Sequence, residues 1–166
     1  MTISATPSAR TILAPTMRQA VAMTRIFTVK VADETFGIPV ASVHTVFMID
    51  RLSPVPLAPE AVMGLVNLRG RIVTALSLRR RLGIAELNVS TRVAIVMENG
   101  GEMLALVVDE AGDVIDLAAY DQIELPRHMT ASRARLTKAV FRHARGLLSI
   151  LDMDAIYTLV PPQTHS

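Results

Sequence analysis

Apolar residues in this chain come in short runs, several with a period of two, and nearly every run is cut by glycine, proline or a polar pair. That pattern constrains the fold more than any other feature, because period two places alternate side chains on one face of a strand. Phe27, Val29 and Val31 alternate with Thr28 and Lys30; Asp33-Glu34 then makes a turn, and Thr35–Ile38 returns. Val43–Ile49 is rich in β-branched residues. Arg92–Met97 and Met103–Val108 flank Asn99-Gly100-Gly101, the clearest hairpin signal. Leu65–Leu68 and Ile72–Leu76 flank Arg69-Gly70-Arg71 in the same manner. Val114–Leu117, Lys138–Arg142 and Leu147–Leu151 read as further short strands. Pro54, Pro56 and Pro59 make Arg51–Pro59 an extended loop, since proline cannot donate to a strand ladder. Leu78–Leu82 reads as one helical turn stopped by Gly83, and Asp152–Leu159 as a terminal helix stopped by Pro161-Pro162. A mainly β fold follows, as a sandwich or as barrels. One large ligand-filled barrel and two small barrels split near Gly83–Val89 fit the spacing equally.

Composition narrows the class. The chain has 166 residues, 51% hydrophobic and 19% charged, against about 25% charged in ordinary domains. Such a chain buries a sizeable core. Small barrels have small cores, so the surplus apolar residues belong between lobes or on partner-facing patches. The longest stretch free of Asp, Glu, Lys and Arg, Thr35–Ile49, is too short for a membrane-spanning helix. Without cysteine there is neither a disulfide framework nor a thiolate metal site, which fits a reducing cytosol. Residues 1–24 hold two arginines and no acid and read as a flexible basic tail, with a short amphipathic helix around Thr16–Met23 as the alternative. Charge is segmented: Val93–Pro126 has eight acids and no base, and Arg127–Ile150 has six bases and no acid. These blocks either pair with each other or face different partners.

The sequence offers little for catalysis. His44, His128, His143 and His165 are scattered without metal-ligand spacing, so no metal and no cofactor is expected. Asp109, Glu110 and Asp113 could act as paired carboxylates, but a solvated turn accounts for them better. Arg69, Arg71 and Arg79–Arg81 cluster, yet aromatic residues are only 4%, too few for a stacking platform. Arg79–Arg81 then reads as a solvated helix face.

One run of motifs is more specific. Val55-Pro56-x-x-Pro59-x-x-Val62-x-Gly64-x-Val66-Asn67-Leu68-Arg69-Gly70 resembles the signature of the CheW family of chemotaxis coupling proteins. Phe36-Gly37-Ile38-Pro39 precedes it, and Ile72-Val73-x-x-Leu76-x-Leu78-Arg79 follows it. Val107-Val108-Asp109-Glu110-x-x-Asp113-Val114-Ile115 and Leu147-Leu148-x-Ile150-Leu151-Asp152 continue the likeness in order.

The resemblance implies two small five-stranded SH3-like β-barrels packed together, with short helices at a connection and at the C-terminus. It implies a CheW-like domain over residues 25–160, with lobe one at about 25–85, lobe two at about 90–152 and the terminal helix at about 152–159. It further implies a non-enzymatic, cytoplasmic adaptor that couples chemoreceptor tips to the regulatory domain of a CheA-type histidine kinase at membrane-associated arrays. The alternative is a regulator of a pilus or other non-flagellar pathway that binds without activating kinase. Neither reading involves nucleic acid or membrane insertion. The receptor's helical tip would dock in the groove between barrels, at or near Val43, Thr45, Gly64, Asn67, Leu68, Arg69, Gly70 and Val96. Arg69 is the leading residue, either meeting a partner's carboxylate or anchoring its own loop. Thr45 and Ser77 stand where the family usually has acids, which would weaken charge pairing with a basic partner.

Overall fold

A computed structural model describes residues 24–144 and 146–158. The expected tail, except Thr24, and the end of the terminal helix at Leu159 lie outside the described residues.

Eleven strands form two sheets among the described residues. In chain order they are β1 (Arg25–Val31), β2 (Glu34–Pro39), β3 (Val43–Ile49), β4 (Val62–Leu68), β5 (Arg71–Ser77), β6 (Arg92–Asn99), β7 (Glu102–Val108), β8 (Glu110–Asp116), β9 (Asp121–Ile123), β10 (Thr137–His143) and β11 (Gly146–Leu151). Three short α-helices also have their ranges among the described residues: α1 (Leu78–Arg81), α2 (Ala131–Leu136) and, after the last strand, α3 (Met153–Thr158). One sheet runs β3-β6-β7-β5-β4 and the other β8-β1-β2-β11-β10-β9. Sheet order and chain order differ: β6 and β7 pair into the sheet that holds β3–β5, while β1 and β2 join the later strands. Two pairings are parallel, β5 with β7 and β2 with β11; neighbours in the hairpins are antiparallel. Past β3, Ser53 exchanges two backbone hydrogen bonds with Leu65 (2.9 and 2.8 Å), which covers the outer edge of β4.

The surplus apolar residues now have a place. A central core joins the sheets, with Val29, Val31, Phe36 and Ile38 from one meeting Leu76, Ile95, Met97, Leu104, Leu106 and Val108 from the other. Each sheet also encloses a smaller core of its own. Val66, Val73, Ala75, Ala94, Val96, Ala105 and Val107 fill the first, and Ile26, Leu117, Leu148 and Ile150 the second. The middle strands β6 and β7 are therefore buried on both faces, which is why they read as continuous apolar runs rather than alternating ones. Small residues such as Ala75, Ala94 and Ala105 face the narrow interior.

The mainly β class and the two packed units agree with the sequence reading. The second unit has six strands rather than five, because β9 adds three residues, too few to show a period. Helix α2 was also not foreseen; Thr130 caps it, its hydroxyl accepting the Arg133 N–H at 3.3 Å. The first turn falls one residue earlier than expected, at Ala32-Asp33, since Val31 pairs with Glu34.

The charged segments needed more correction. Asp109 is not part of a solvated turn: its side chain is 17% exposed and is gripped by Arg79, whose own exposure is 13%. Glu110–Asp116 continues as strand β8. Arg79–Arg81 is likewise not a solvated face. Arg80 reaches the Glu86 carboxylate at 3.0 Å and donates to the Glu60 carbonyl at 3.0 Å. The acidic and basic blocks do not pair where ion pairs are seen among the described residues; Asp109 goes to Arg79, Glu98 to His44 and Arg133 to Glu34.

Candidate functional site

The β4–β5 hairpin presents the residues singled out by sequence. Leu68 pairs with Arg71, leaving Arg69-Gly70 as a two-residue loop. Both loop residues have positive φ, 49° at Arg69 and 88° at Gly70, as a type I′ turn demands. Its twist suits the hairpin, but the left-handed region costs a non-glycine residue about 1 kcal/mol. The β6–β7 hairpin has the same loop length and fills both positions with glycine, Gly100 at 59° and Gly101 at 88°. The Asn67 side chain supports the strained turn by accepting the Gly70 N–H at 2.8 Å.

Seven of the eight expected residues fall into three groups, and Val43 stands apart. Thr45, Leu68 and Arg69 line one depression of about 350 Å³, together with His44, Val46, Phe47, Arg71 and Met103. Asn67 and Gly70 shape the exposed hairpin tip beside it. Gly64 and Val96 are buried and offer a partner no side-chain surface. Val96 stands beside Thr45, its cross-strand partner in the register. A Cβ on Gly64 would stand 2.5 Å from the Ser53 carbonyl oxygen, so glycine lets the covering strand close there. Val43 is half-buried against the central core. Gly64 and Val96 act through packing alone, and Leu68, though it lines the depression, is itself only 7% exposed.

Arg69 is exposed, and its guanidinium makes no hydrogen bond or ion pair among the described residues. It therefore does not anchor its own loop; Asn67 does that. Val46, 42% exposed, lines the same depression, and Ile72, 64% exposed, pairs with Asn67 on the hairpin. His44 Nδ1 lies 3.8 Å from a Glu98 carboxylate oxygen on the neighbouring strand. Sequence reasoning did not place His44, Val46, Phe47, Arg71 or Met103 in a partner site. The alternation of β3 marks His44 and Val46 as sharing a face, but nothing local says that this face meets the β4–β5 tip.

Ser77, read as a missing partner-facing acid, is 1% exposed. Its hydroxyl caps α1 by accepting the Arg80 N–H at 3.2 Å. It cannot meet a partner's charge.

A second constellation fixes the junction of the sheets. Arg79 binds Asp109 through Nε–Oδ1 (2.8 Å) and Nη2–Oδ2 (2.7 Å), while Nη1 donates to the Ala85 carbonyl at 2.7 Å. The Ala32 N–H, in the β1–β2 turn, also donates to Asp109 Oδ2 at 2.7 Å. The bonds from Arg79 hold the Asp109 carboxyl below its ordinary pKa despite partial burial, and the same pair raises that of Arg79.

The order of these elements matches a known domain. The CheW-like domain family matches residues 25–160. The chain belongs to the CheW-like family. Within this CheW-like chain, a stretch of 67 residues is 27% identical to the chemotaxis protein CheW of Treponema pallidum (strain Nichols), covering 40% of this chain and 39% of that protein. The match thus spans about two-fifths of that relative's length. The crystal structure of the scaffolding protein TtCheW from Thermoanaerobacter tengcongensis superposes with a TM-score of 0.65 at 25% identity, over 78% of this chain and 88% of that one. The CheW-like signature Asn67-Leu68-Arg69-Gly70 is thus the tip of the β4–β5 hairpin, and Arg79 and Asp109 form the pin between the sheets.

Proposed function

We propose that this chain is a non-enzymatic adaptor of chemotaxis signalling, which couples the cytoplasmic tips of chemoreceptors to the regulatory domain of a CheA-type histidine kinase. One observation carries the reading. Arg69 occupies a left-handed position that the sister hairpin gives to glycine, and its guanidinium has no partner among the described residues, beside a depression with Val46, Phe47 and Met103 in its lining. Strain retained at an exposed position that serves no internal contact points to an external one. A helical tip laid against Val46, Phe47 and Met103 gains apolar contact, and the planar guanidinium of Arg69 suits a carboxylate on that helix. The partner-binding surface is then Thr45, Leu68 and Arg69 with the Asn67–Gly70 tip, and Gly64 and Val96 serve the packing of the strands that carry it. Working in the cytoplasm, the chain reaches the membrane through its receptor partner.

Co-sedimentation with receptor and kinase, with kinase activity followed in the ternary mixture, tests this. Arg69→Glu is expected to weaken binding by about 2 kcal/mol or more with the unfolding midpoint unchanged. Failure of the parent chain to bind either partner would sink the proposal. Binding without kinase stimulation would instead identify a regulator of another chemosensory pathway.

A further inference from the structure

The core inside the six-stranded sheet is thinner than its counterpart. Among the described residues it holds four buried side chains, Ile26, Leu117, Leu148 and Ile150, against nine in the core of the five-stranded sheet. Ala139 and Phe141 pack on it while only partly buried. Together with Leu117 and Ile150 they line a groove of about 400 Å³, which therefore reaches the core itself. Apolar surface left in such a groove costs free energy in proportion to its area. Gln122 and Lys138 supply the polar part of the lining, and no acid among the described residues joins them.

Thr24 lines the same groove. It is the first described residue and has helical backbone; Arg25 and Ile26 after it enter β1 opposite Asp116 and Ile115. The 23 residues that precede it therefore leave from the wall of the groove. Followed backward from Thr24 at helical spacing, the face that Thr24 shares runs through Val21, Ala20 and Met17, at i−3, i−4 and i−7. Arg18, Gln19 and Ala22 fall on the other side. That spacing turns Arg18, the only charged residue of 16–23, away from Lys138.

We propose that residues 16–23 of this chain form an amphipathic helix that ends at Thr24 and lays Met17, Ala20 and Val21 over the groove, covering the core of the six-stranded sheet. Ala20 and Val21 are small enough for close approach, and Met17 is a flexible filler. Lys138 gives the C-terminal end of this helix a cation, the charge that the helix dipole favours there. So short a helix is marginal in isolation, so it forms as it docks. Covalent attachment at the groove decides the occupant. A tethered segment meets its site at an effective concentration of about millimolar, with which a second copy or another protein has to compete. The contact lies on other elements than the β4–β5 tip and does not depend on which partner that tip engages.

Two substitutions in the full chain place the same charge on opposite faces of this helix, Val21→Lys toward the groove and Ala22→Lys toward solvent. Lysine is a good helix former at either place, so the pair isolates docking from propensity. Methyl spectra of the isotope-labelled chain follow Leu117 and Ile150, and hydrogen exchange follows the amides of residues 17–23. In the parent these amides are expected to exchange about tenfold or more slowly than in a free peptide of the same sequence. Val21→Lys is expected to remove that protection, shift both methyl signals and lower the melting temperature by about 2–6 °C. Ala22→Lys is expected to leave all three near the parent. Equal effects of the two substitutions, or no effect of either, would overturn the proposal. A methyl shift that grows with chain concentration would assign the groove to a second copy. One that appears only on adding receptor or kinase would assign it to that partner, and either result overturns the proposal too.

Discussion

Arg79 and Asp109 meet in a two-point ion pair, Nε to Oδ1 at 2.8 Å and Nη2 to Oδ2 at 2.7 Å. Arg79 stands on α1, and Asp109 sits at the point where the chain leaves one sheet for the other, between β7 and β8. The same carboxylate takes the Ala32 N–H from the β1–β2 turn. One side chain thus holds three segments that are remote in sequence.

Asp109→Asn is expected to destabilise the fold by about 1.5–3 kcal/mol at neutral pH, the worth of hydrogen bonds to a charged group. The carboxyl is held below its ordinary value by Arg79. Its contribution is therefore complete above the unfolded aspartate value, about 4, and is lost as pH falls through the lower folded value. Chemical denaturation of parent and variant across that range measures this. A stability gap that did not narrow on acidification would refute the assignment.

Arg69→Gly separates folding from recognition at the hairpin tip. Glycine adopts the 49° φ of this position freely, so stability is expected to hold or to gain about 1 kcal/mol. Partner binding should fall as it does for Arg69→Glu. Asn67→Ala should do the reverse in part, losing about 1 kcal/mol with the turn's hydrogen bond to Gly70. Denaturant midpoints alongside binding isotherms distinguish the two.

Gly37→Ala tests the small core inside the six-stranded sheet. A Cβ there would come within 2.5 Å of Ile26 Cγ2 and 2.7 Å of Ile150 Cδ1. Overpacking of this kind costs about 1–3 kcal/mol. Trimming Ile150 to Val in the same chain, removing the Cδ1 methyl, is expected to recover part of the loss. Independent additive costs in the double variant would show that the two sites do not touch.

Tyr157 on α3 carries a buried hydroxyl without a hydrogen-bond partner. Burial, with Glu98 and Glu102 nearby, pushes its pKa up to about 12. Tyr157→Phe is expected to hold or raise stability, by about 1 kcal/mol, because it removes an unsatisfied polar group. The raised pKa favours the neutral phenol in the folded state. The parent should therefore lose stability as pH rises from the unfolded value, about 10, through the folded one, and the variant should lose less. Alkaline melting curves for both proteins decide this.

Short-range information specified most of the strands. Alternation at Phe27–Val31 and the glycine pairs or turns at Gly100-Gly101 and Arg69-Gly70 depend on a few adjacent residues, so they are legible one segment at a time. The same holds for the α1 stop at Gly83, where φ is 74°. Strand β9 escaped because three residues carry no period, and α2 because a six-residue helix with scattered apolar positions has little amphipathic signal.

What the linear chain determined, then, is which segments extend, where they turn, and a signature for the hairpin that carries Arg69. Tertiary structure alone decided the parallel pairings of β5 with β7 and β2 with β11, the union of Arg79 with Asp109, and the burial of Ser77 and Val96. It also decided that Thr45 and Arg69 share one depression and that the Arg81 Nε is buried without a hydrogen-bond partner. The physical reason is range. Backbone periodicity and turn chemistry act between neighbours, whereas burial and charge pairing depend on where remote segments come to rest against a shared core.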